Sequence, residues 1–494
     1  MKSNGLPIPH EVIETVEVLE KAGFEAYLVG GCVRDLLLGR VPGDWDITTN
    51  AHPENIQKLY PKTVYENVFG TVAVIREDTT DPTLRNIEIT PYRIETGYSD
   101  RRHPDKVSFS SKIEDDLKRR DFTINALAIT LSDGAIKDTV DLYNGFADLK
   151  DKTIRTVGEP VDRFNEDALR MMRAVRLSVE LGFIIETNTF AAIKSHSFLI
   201  KDVSMERVRD EFEKIINSPE PKKGIEMLRE LGILKHIIPE LERGVGVTQT
   251  QAHAYDVWDH LLKSLQHAAD KGWSLDIRLA ALFHDIAKPV TKSVSREANQ
   301  VTFYGHEVVG SRETRKILER MKFSRATIEK VSKLVRWHMF FSDTEQITIS
   351  AVRRMVVNVG RENIWDLMNV RICDRIGTGR PKEKPYRLRK YQSMIEEALR
   401  DPISVSMLKI DGKRLMEVGK IPAGPKIGWV LHALFNEVLD DPRLNTQEYL
   451  EKRALELLAL PEKDLKTLGE AGKGRKEEAD EKNIDEIRKK YHVS

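Results

Sequence analysis

The chain has 494 residues, 40% of them hydrophobic, which is too long for one core of ordinary size and implies two to four domains. Its 78 basic and 78 acidic side chains cancel, which excludes a whole-molecule positive field, so any polyanion must meet a local patch. Two distant cysteines, Cys32 and Cys373, argue against a disulfide framework, and no apolar run approaches a signal peptide or a membrane span; a soluble cytoplasmic protein with no membrane partner is expected.

Short β-rich runs at Ala26–Val29, Thr71–Ile75, Asn86–Thr90 and Lys106–Phe109 alternate with helical stretches and give an α+β head over residues 1–155. From Glu166 apolar residues recur at three and four, in Leu169–Leu181, Met205–Ile216 and Lys223–Leu231, which predicts an all-α segment over 156–245 that closes at Pro239 and Gly244 to Gly246. A second helical block, 246–398, holds most of the histidines. A third, 399–462, carries its own turn signals at Gly412 and Pro422-Ala423-Gly424-Pro425. Residues 463–494 are rich in Lys, Glu, Asp and Gly and predict a solvated charged tail.

In the head, Leu28-Val29-Gly30-Gly31-Cys32-Val33-Arg34 runs from a strand through a glycine pair into a helix. Glycines let a backbone approach a ligand closely, amides at a helix start suit a triphosphate, and Arg34 adds a forked cation. A plain turn would look the same. Asp44-Trp45-Asp46 follows; on a strand both carboxylates face one way, and Mg²⁺ beside a phosphate site relieves their repulsion. With two ions, one activates an attacking 3′-hydroxyl while the other steadies the leaving pyrophosphate. Glu88, interrupting an apolar strand, is a candidate third carboxylate, or else the polar residue of an amphipathic strand.

Lys118-Arg119-Arg120-Asp121-Phe122-Thr123-Ile124-Asn125 offers cations for phosphate and an acid and an amide for ribose hydroxyls, or a charged helix start capped by Asp121. In Glu166-Asp167-Ala168-Leu169-Arg170, a helix would put Asp167 and Arg170 on one face, with Arg173 and Arg176 continuing the stripe. Surface ion pairs are the ordinary explanation. The functional one is chemical: Asp accepts from the exocyclic amino group of cytosine or adenine, Arg donates to the ring nitrogen, and uracil or guanine is refused because polar groups would be left unpaired.

Together, GGCVRDLLLG, DWDIT, RRDFTINALA, the Asp141–Gly158 segment and EDALRMMRAVRL closely resemble the class II CCA-adding enzymes and bacterial poly(A) polymerases. The resemblance covers most of residues 20 to 460. It implies a polymerase-β-like head with a small mixed sheet, then helical neck, body and tail. Asp44 and Asp46 would be the metal-binding catalytic carboxylates, beside the candidate third carboxylate Glu88. Gly31, Arg34, Arg120, Asp121, Asn125, Asp167, Arg170, Arg173 and Arg176 would form the nucleotide site. The implied activity is untemplated addition of CTP, CTP and ATP to the 3′ end of tRNA. Arg93–Phe109 resembles a loop that CC-only members lack, and the basic signature of poly(A) polymerases is not found; A-only addition stays open. Leu408–Pro442 resembles the tail that holds the tRNA arm.

His260, His284-Asp285 and Asp374 fall in that order on segments that read as helices, and resemble the HD metal-dependent phosphohydrolases, with His306 and His338 between them as in two-metal members. Imidazoles and carboxylates suit Ni²⁺, Mn²⁺, Fe²⁺, Co²⁺ or Zn²⁺. The implied chemistry is attack of a metal-bound hydroxide on a phosphoester, as in trimming a damaged RNA 3′ end. A phosphohydrolase whose head only senses nucleotide is the rival reading, which the intact Asp44–Asp46 pair disfavours.

Overall fold

The computed structural model describes residues 8–65, 70–97, 106–132, 134–249, 254–294, 301–339 and 347–470. The chain divides into two compact units, one ending at Ile237 and the other beginning at Ile238. Among the described residues no helix is long and apolar enough to cross a membrane, and Cys32 and Cys373 are both free and buried.

The first unit is built on strands β1 (Ala26–Val29), β2 (Trp45–Thr49), β3 (Thr63–Tyr65), β4 (Val72–Ile75), β5 (Asn86–Pro91), β6 (Arg93–Thr96), β7 (Lys106–Phe109), β8 (Leu127–Ser132) and β9 (Ala135–Asp141). Seven of them form one mixed sheet in the order β3-β4-β5-β2-β1-β8-β9, and β6 pairs with β7 in a separate antiparallel ribbon. The segment between that pair, in the stretch read as a loop, lies outside the described residues. Within the seven-stranded sheet, among the described residues, only β2 and β5 run parallel; Thr153–Ile154 and Ile184–Ile185 form a separate parallel pair. In β5 burial alternates, with Ile87 and Ile89 inside and Glu88 exposed between them, as a strand's period of two requires, while β1, β2 and β8 bury Leu28, Ile47 and Ile129 among adjacent buried residues.

Helices α1 (His10–Lys21), α2 (Gly31–Leu37), α3 (Pro53–Leu59), α4 (Ile113–Lys118) and α5 (Gly145–Lys150) belong to the head. Helices α6 (Pro160–Glu166), α7 (Arg170–Leu181), α8 (Thr187–His196), α9 (Met205–Asn217) and α10 (Pro221–Glu230) complete the unit. Prolines open α6 and α10, where the missing N–H has no helical partner to lose.

One helix expected to be continuous is broken. α6 stops at Glu166, Asp167 is extended, and α7 starts at Arg170. The Asp167 carboxylate accepts the Leu169 N–H at 3.1 Å, the local bond by which aspartate competes with helix continuation and favours a helix entry. Asp167 and Arg170 therefore flank a helix start rather than sharing a helix face.

The second unit is helical, with Val257–Asp270, Leu275–Phe283, His306–Arg320, Arg325–Trp337 and Ile364–Gly377 as its longer early helices. His284 caps the helix ending at Phe283, and Asp285 lies in the turn beyond it, not within a helix as the sequence pattern suggested. Farther on, Pro425–Asp440 and Gln447–Leu458 enclose a core with Leu415, Val430, Leu434 and Leu450. The helix Glu462–Glu470 joins it: Leu465 is buried, and a Cβ on Gly469 would fall 2.5 Å from the Trp429 Cα. The expected charged tail thus begins later than residue 463, and residues 471–494 lie outside the described residues.

Candidate functional site

Gly30 ends β1 with φ 78°, the left-handed region that glycine enters at least cost. A Cβ there would stand 2.9 Å from Arg120 Nη1 and 3.2 Å from Asp46 Oδ2, and one on Gly31 would stand 3.7 Å from Asp44 Oδ1. The glycine pair therefore keeps open the space between the aspartates and the arginines. Asp46 pairs in register with Glu88 on the parallel neighbour β5; Asp44 lies in the bend just before β2 rather than on the strand as expected, and its charge and that of Glu88 act on Asp46. Burial, and then the charge of Asp44, push Asp46 up to about 7. A buried acid raised by its desolvation and by a neighbouring carboxylate is a site where a divalent cation could replace a proton, and oxygen donors of this kind suit Mg²⁺.

A cavity of about 300 Å³ opens beside them, lined by Gly30, Gly31 and Asp46 on one side and by Arg119, Arg120, Asp121 and Asn125 on another. Asp167, Arg170, Arg173 and Arg207 complete the wall. The cations are held by buried acids. Asp116, fully buried, takes Arg119 Nη2 at 2.6 Å on Oδ1 and Arg120 Nη2 at 3.0 Å on Oδ2. Burial alone would raise Asp116, but the two guanidiniums outweigh it and hold the carboxyl below its usual value. Asp121 accepts the Arg173 fork at 2.8 and 2.6 Å and the Asn125 amide at 3.1 Å. It is neither a helix cap nor free to meet a sugar with both oxygens.

Arg34 lies outside the lining; its fork rests on Asp35, and Nη1 donates to Asn125 Oδ1 at 2.8 Å. Arg176 faces Glu211 at 3.2 Å and does not reach the cavity. Arg170 donates to Glu166 Oε2 at 2.6 Å and to the carbonyls of Arg163 and Arg119 at 3.3 and 3.0 Å. Asp167 is held by a residue that the sequence did not single out, Arg207 of α9, at 3.2 and 2.7 Å. Asp116 was legible in principle, at three and four residues before its arginines; Arg207, forty residues from its partner, was not.

Because Asp116 ionises more readily folded than unfolded, its contribution is complete above its unfolded value near 4 and is lost as pH falls through the lower folded value. Asp116→Asn is therefore expected to unfold at lower temperature than the parent at pH 7, by an amount that shrinks below about pH 4. Thermal melts between pH 3 and 7 check this; a difference independent of pH contradicts it.

The second unit gathers His260, His284, Asp285 and Asp374, all buried, with ligand atoms within 4.8 Å of one another, and Asp285 with His306 and His338 in a second such group. His260 Nε2 lies 3.0 Å from Asp285 Oδ2 and 2.8 Å from His284 Nε2. His306 Nε2 is 3.1 Å and His338 Nε2 3.5 Å from Asp285 Oδ1. The Nδ1 atoms of His284, His306 and His338 are fixed by the carbonyls of Ala281, Phe303 and Val335 at 2.9, 2.7 and 2.7 Å, which turns each Nε2 inward; against its burial, the Asp285 and Asp374 carboxylates raise His284 to about 9. His306 Nε2 and His338 Nε2 are buried without a hydrogen-bond partner. Burial holds His338 to about 4, so its imidazole is neutral. Imidazole nitrogens around carboxylates could hold a divalent metal, and the two groups share Asp285.

Lys288 reaches Asp285 at 2.6 Å and Arg371 grips Asp374. Beside the cluster a cavity of about 830 Å³ carries Lys288, Arg371, Arg375, Arg380 and Arg387 with the rings of Phe303, Tyr304 and Tyr386. Burial, then Arg380 and Arg371, push Arg375 below its usual value. Like charges assembled next to the histidine–aspartate cluster favour an anionic ligand.

Three stretches of the chain match models of known families. Residues 26–155 match the model for the "Poly A polymerase head domain", 182–244 that for the "Probable RNA and SrmB- binding site of polymerase A", and 257–376 the "HD domain". A CCA-adding enzyme of Lactobacillus helveticus is 48% identical over 218 residues, 44% of this chain and 52% of that protein. In that alignment the chain spans about half the length of its relative. One of Limosilactobacillus fermentum is 36% identical over 318 residues, 62% of this chain and 77% of that protein. The crystal structure of the Bacillus stearothermophilus CCA-adding enzyme in complex with CTP superposes with a TM-score of 0.67 at 27% identity, covering 90% of this chain and 96% of that one. With a relative at this identity covered over most of its length, and with head and HD models matched in order, the chain belongs to the family of CCA-adding enzymes.

Proposed function

We propose that the head adds C, C and A to the 3′ end of tRNA without a nucleic-acid template, from CTP and ATP. The observation that carries this reading is the placement of Asp167 and Arg170 on the wall of the same cavity as Asp46. An acceptor and a donor that could read a base thus stand beside carboxylates that could serve phosphoryl chemistry. The CTP complex of the Bacillus stearothermophilus relative supports it.

In this reading Asp44 and Asp46, with Glu88 as the third catalytic carboxylate, would hold two Mg²⁺ ions, which would supply activation of the 3′-hydroxyl and charge neutralisation for the leaving pyrophosphate. Gly30 and Gly31 leave room for the triphosphate, and Arg120, fixed by Asp116, faces it. Arg119 and Arg173, held by Asp116 and Asp121, keep the wall positive. Asn125 and Arg34 brace Asp121 and the glycine turn. Asp167 accepts from the amino group shared by cytosine and adenine, and Arg170 has two N–H groups left for the ring edge.

The histidine cluster is assigned phosphohydrolase activity on RNA or nucleotide phosphoesters, with Ni²⁺, Mn²⁺, Fe²⁺ or Co²⁺ held by His260, His284, Asp285 and Asp374, and by His306 and His338 through Asp285. The cationic cavity supports an anionic substrate there. The test of the transferase reading uses tRNA ending at the discriminator base or at CC, with labelled CTP or ATP. Addition of C and then A is expected; A alone, on the CC-ended form only, would make it an A-adding enzyme, and no incorporation with either would leave the head a sensor.

A further inference from the structure

The Asp167 carboxylate has four lone-pair positions, and their occupancy is decided by its neighbours. Oδ1 accepts Arg207 Nη1 at 3.2 Å and the Leu169 N–H at 3.1 Å, so both of its positions are used. Oδ2 accepts Arg207 Nη2 at 2.7 Å and keeps one position. A two-pronged guanidinium contact also fixes the plane of the carboxylate, which a single bond would leave free to rotate. Arg207 lies on the cavity wall with Asp167 and Arg170, and its side chain is 24% exposed.

We propose that Arg207 is a specificity-determining positioning residue: it holds Asp167 so that one acceptor position alone faces the incoming base. This rests on the reading of Asp167 as the base-selecting acid. One open acceptor matches one exocyclic amino hydrogen, as cytosine and adenine present. Uracil and guanine would bring a carbonyl oxygen to the same place, acceptor against acceptor. Without the fork the carboxylate turns about its Cβ–Cγ bond, frees a position on Oδ1, and lets water bridge to a carbonyl, so the penalty for the wrong base falls. Arg170 needs no such partner, because Glu166 and two backbone carbonyls already orient it.

The test measures kcat/KM for CTP and UTP, and for ATP and GTP, with the full chain and a tRNA acceptor, in Arg207→Gln and Arg207→Lys, with Asp167→Ala as control. The CTP-over-UTP ratio is expected to fall about tenfold or more in Arg207→Gln, the equivalent of one lost polar pairing. Arg207→Lys, which keeps the charge but not the fork, should fall between parent and Gln and remains informative if the Gln variant does not fold. An equal loss for all four nucleotides would make Arg207 merely structural and overturn the proposal, as would an unchanged ratio in both variants. If Asp167→Ala also leaves the ratio unchanged, the base-reading role of Asp167 fails and the proposal with it; a relaxed ratio in Asp167→Ala alone overturns only the role of Arg207.

Discussion

Asp46→Ala is expected to lower nucleotide incorporation by about a thousandfold while leaving tRNA binding within about twofold, since a catalytic metal supplies several kcal/mol to the transition state. The residue stands between Asp44 and Glu88, and its carboxyl is raised to about 7 by burial and by Asp44. The direction of that shift separates a catalytic loss from unfolding. A carboxyl whose folded value exceeds its unfolded one favours the folded state most below its unfolded value near 4, and that advantage is lost as pH climbs to about 7. The metal-free parent should therefore lose stability over this interval, and Asp46→Ala should not. Melting temperatures between pH 4 and 8, with and without Mg²⁺, read this directly, and Mg²⁺ affinity in the parent should weaken as pH drops below about 7 because proton and metal compete for one oxygen. A variant that melts early at pH 8 and binds no tRNA would assign Asp46 to the scaffold instead.

Asp285→Ala should have the second large effect, and in the other unit. Five cationic or imidazole groups converge on this carboxylate: Lys288 at 2.6 Å, His260 at 3.0 Å, His306 at 3.1 Å, His284 at 3.4 Å and His338 at 3.5 Å. Removing it takes the shared oxygen donor from both ligand groups and strands Lys288, whose side chain is only 7% exposed. Breaking a buried pair in this way costs about 3–5 kcal/mol. Bound transition metal, measured by elemental analysis, should drop to background, and hydrolysis of a model phosphomonoester with it. CTP and ATP incorporation should persist, because the head folds within a separate compact unit. Retention of a full metal complement in the variant would remove Asp285 from the ligand set.

The sequence reading reached some features of these sites more easily than others, for physical reasons. Local chemistry was legible: the Gly30 turn, the Asp44–Asp46 spacing and the strand period at Ile87 and Ile89 are decided by backbone geometry over a few residues. The six metal-ligand candidates of the histidine block are likewise brought into two adjoining groups. The break at Asp167 was missed because the apolar spacing on either side continues as if the helix did; a single side-chain bond to Leu169 decides otherwise. Arg34 is placed at the nucleotide by its position one turn into the helix after the glycine pair, Arg176 by the arginine stripe, and both by the family resemblance. Asp35 and Glu211 meet them in the fold, and only three-dimensional packing reveals which cations are already engaged. Arg207 is the same lesson reversed, an ordinary surface-helix arginine in sequence and a clamp on Asp167 in space. The helix Glu462–Glu470 escaped a compositional reading because one buried leucine and one close-packed glycine suffice to seat a charged segment on its neighbour.

The proposed transferase requires one arrangement, in which the aspartates of the head share metal beside a triphosphate while Asp167 meets the base. Crystals of the full chain grown with CTP and Mn²⁺ test it through the anomalous signal of the metal. The expected result is a peak about 2.0–2.2 Å from oxygens of both Asp44 and Asp46, in contact with the triphosphate, with the cytosine amino group on Asp167 Oδ2. A triphosphate and metal bound away from the two aspartates, or a cytosine turned from Asp167, would contradict it.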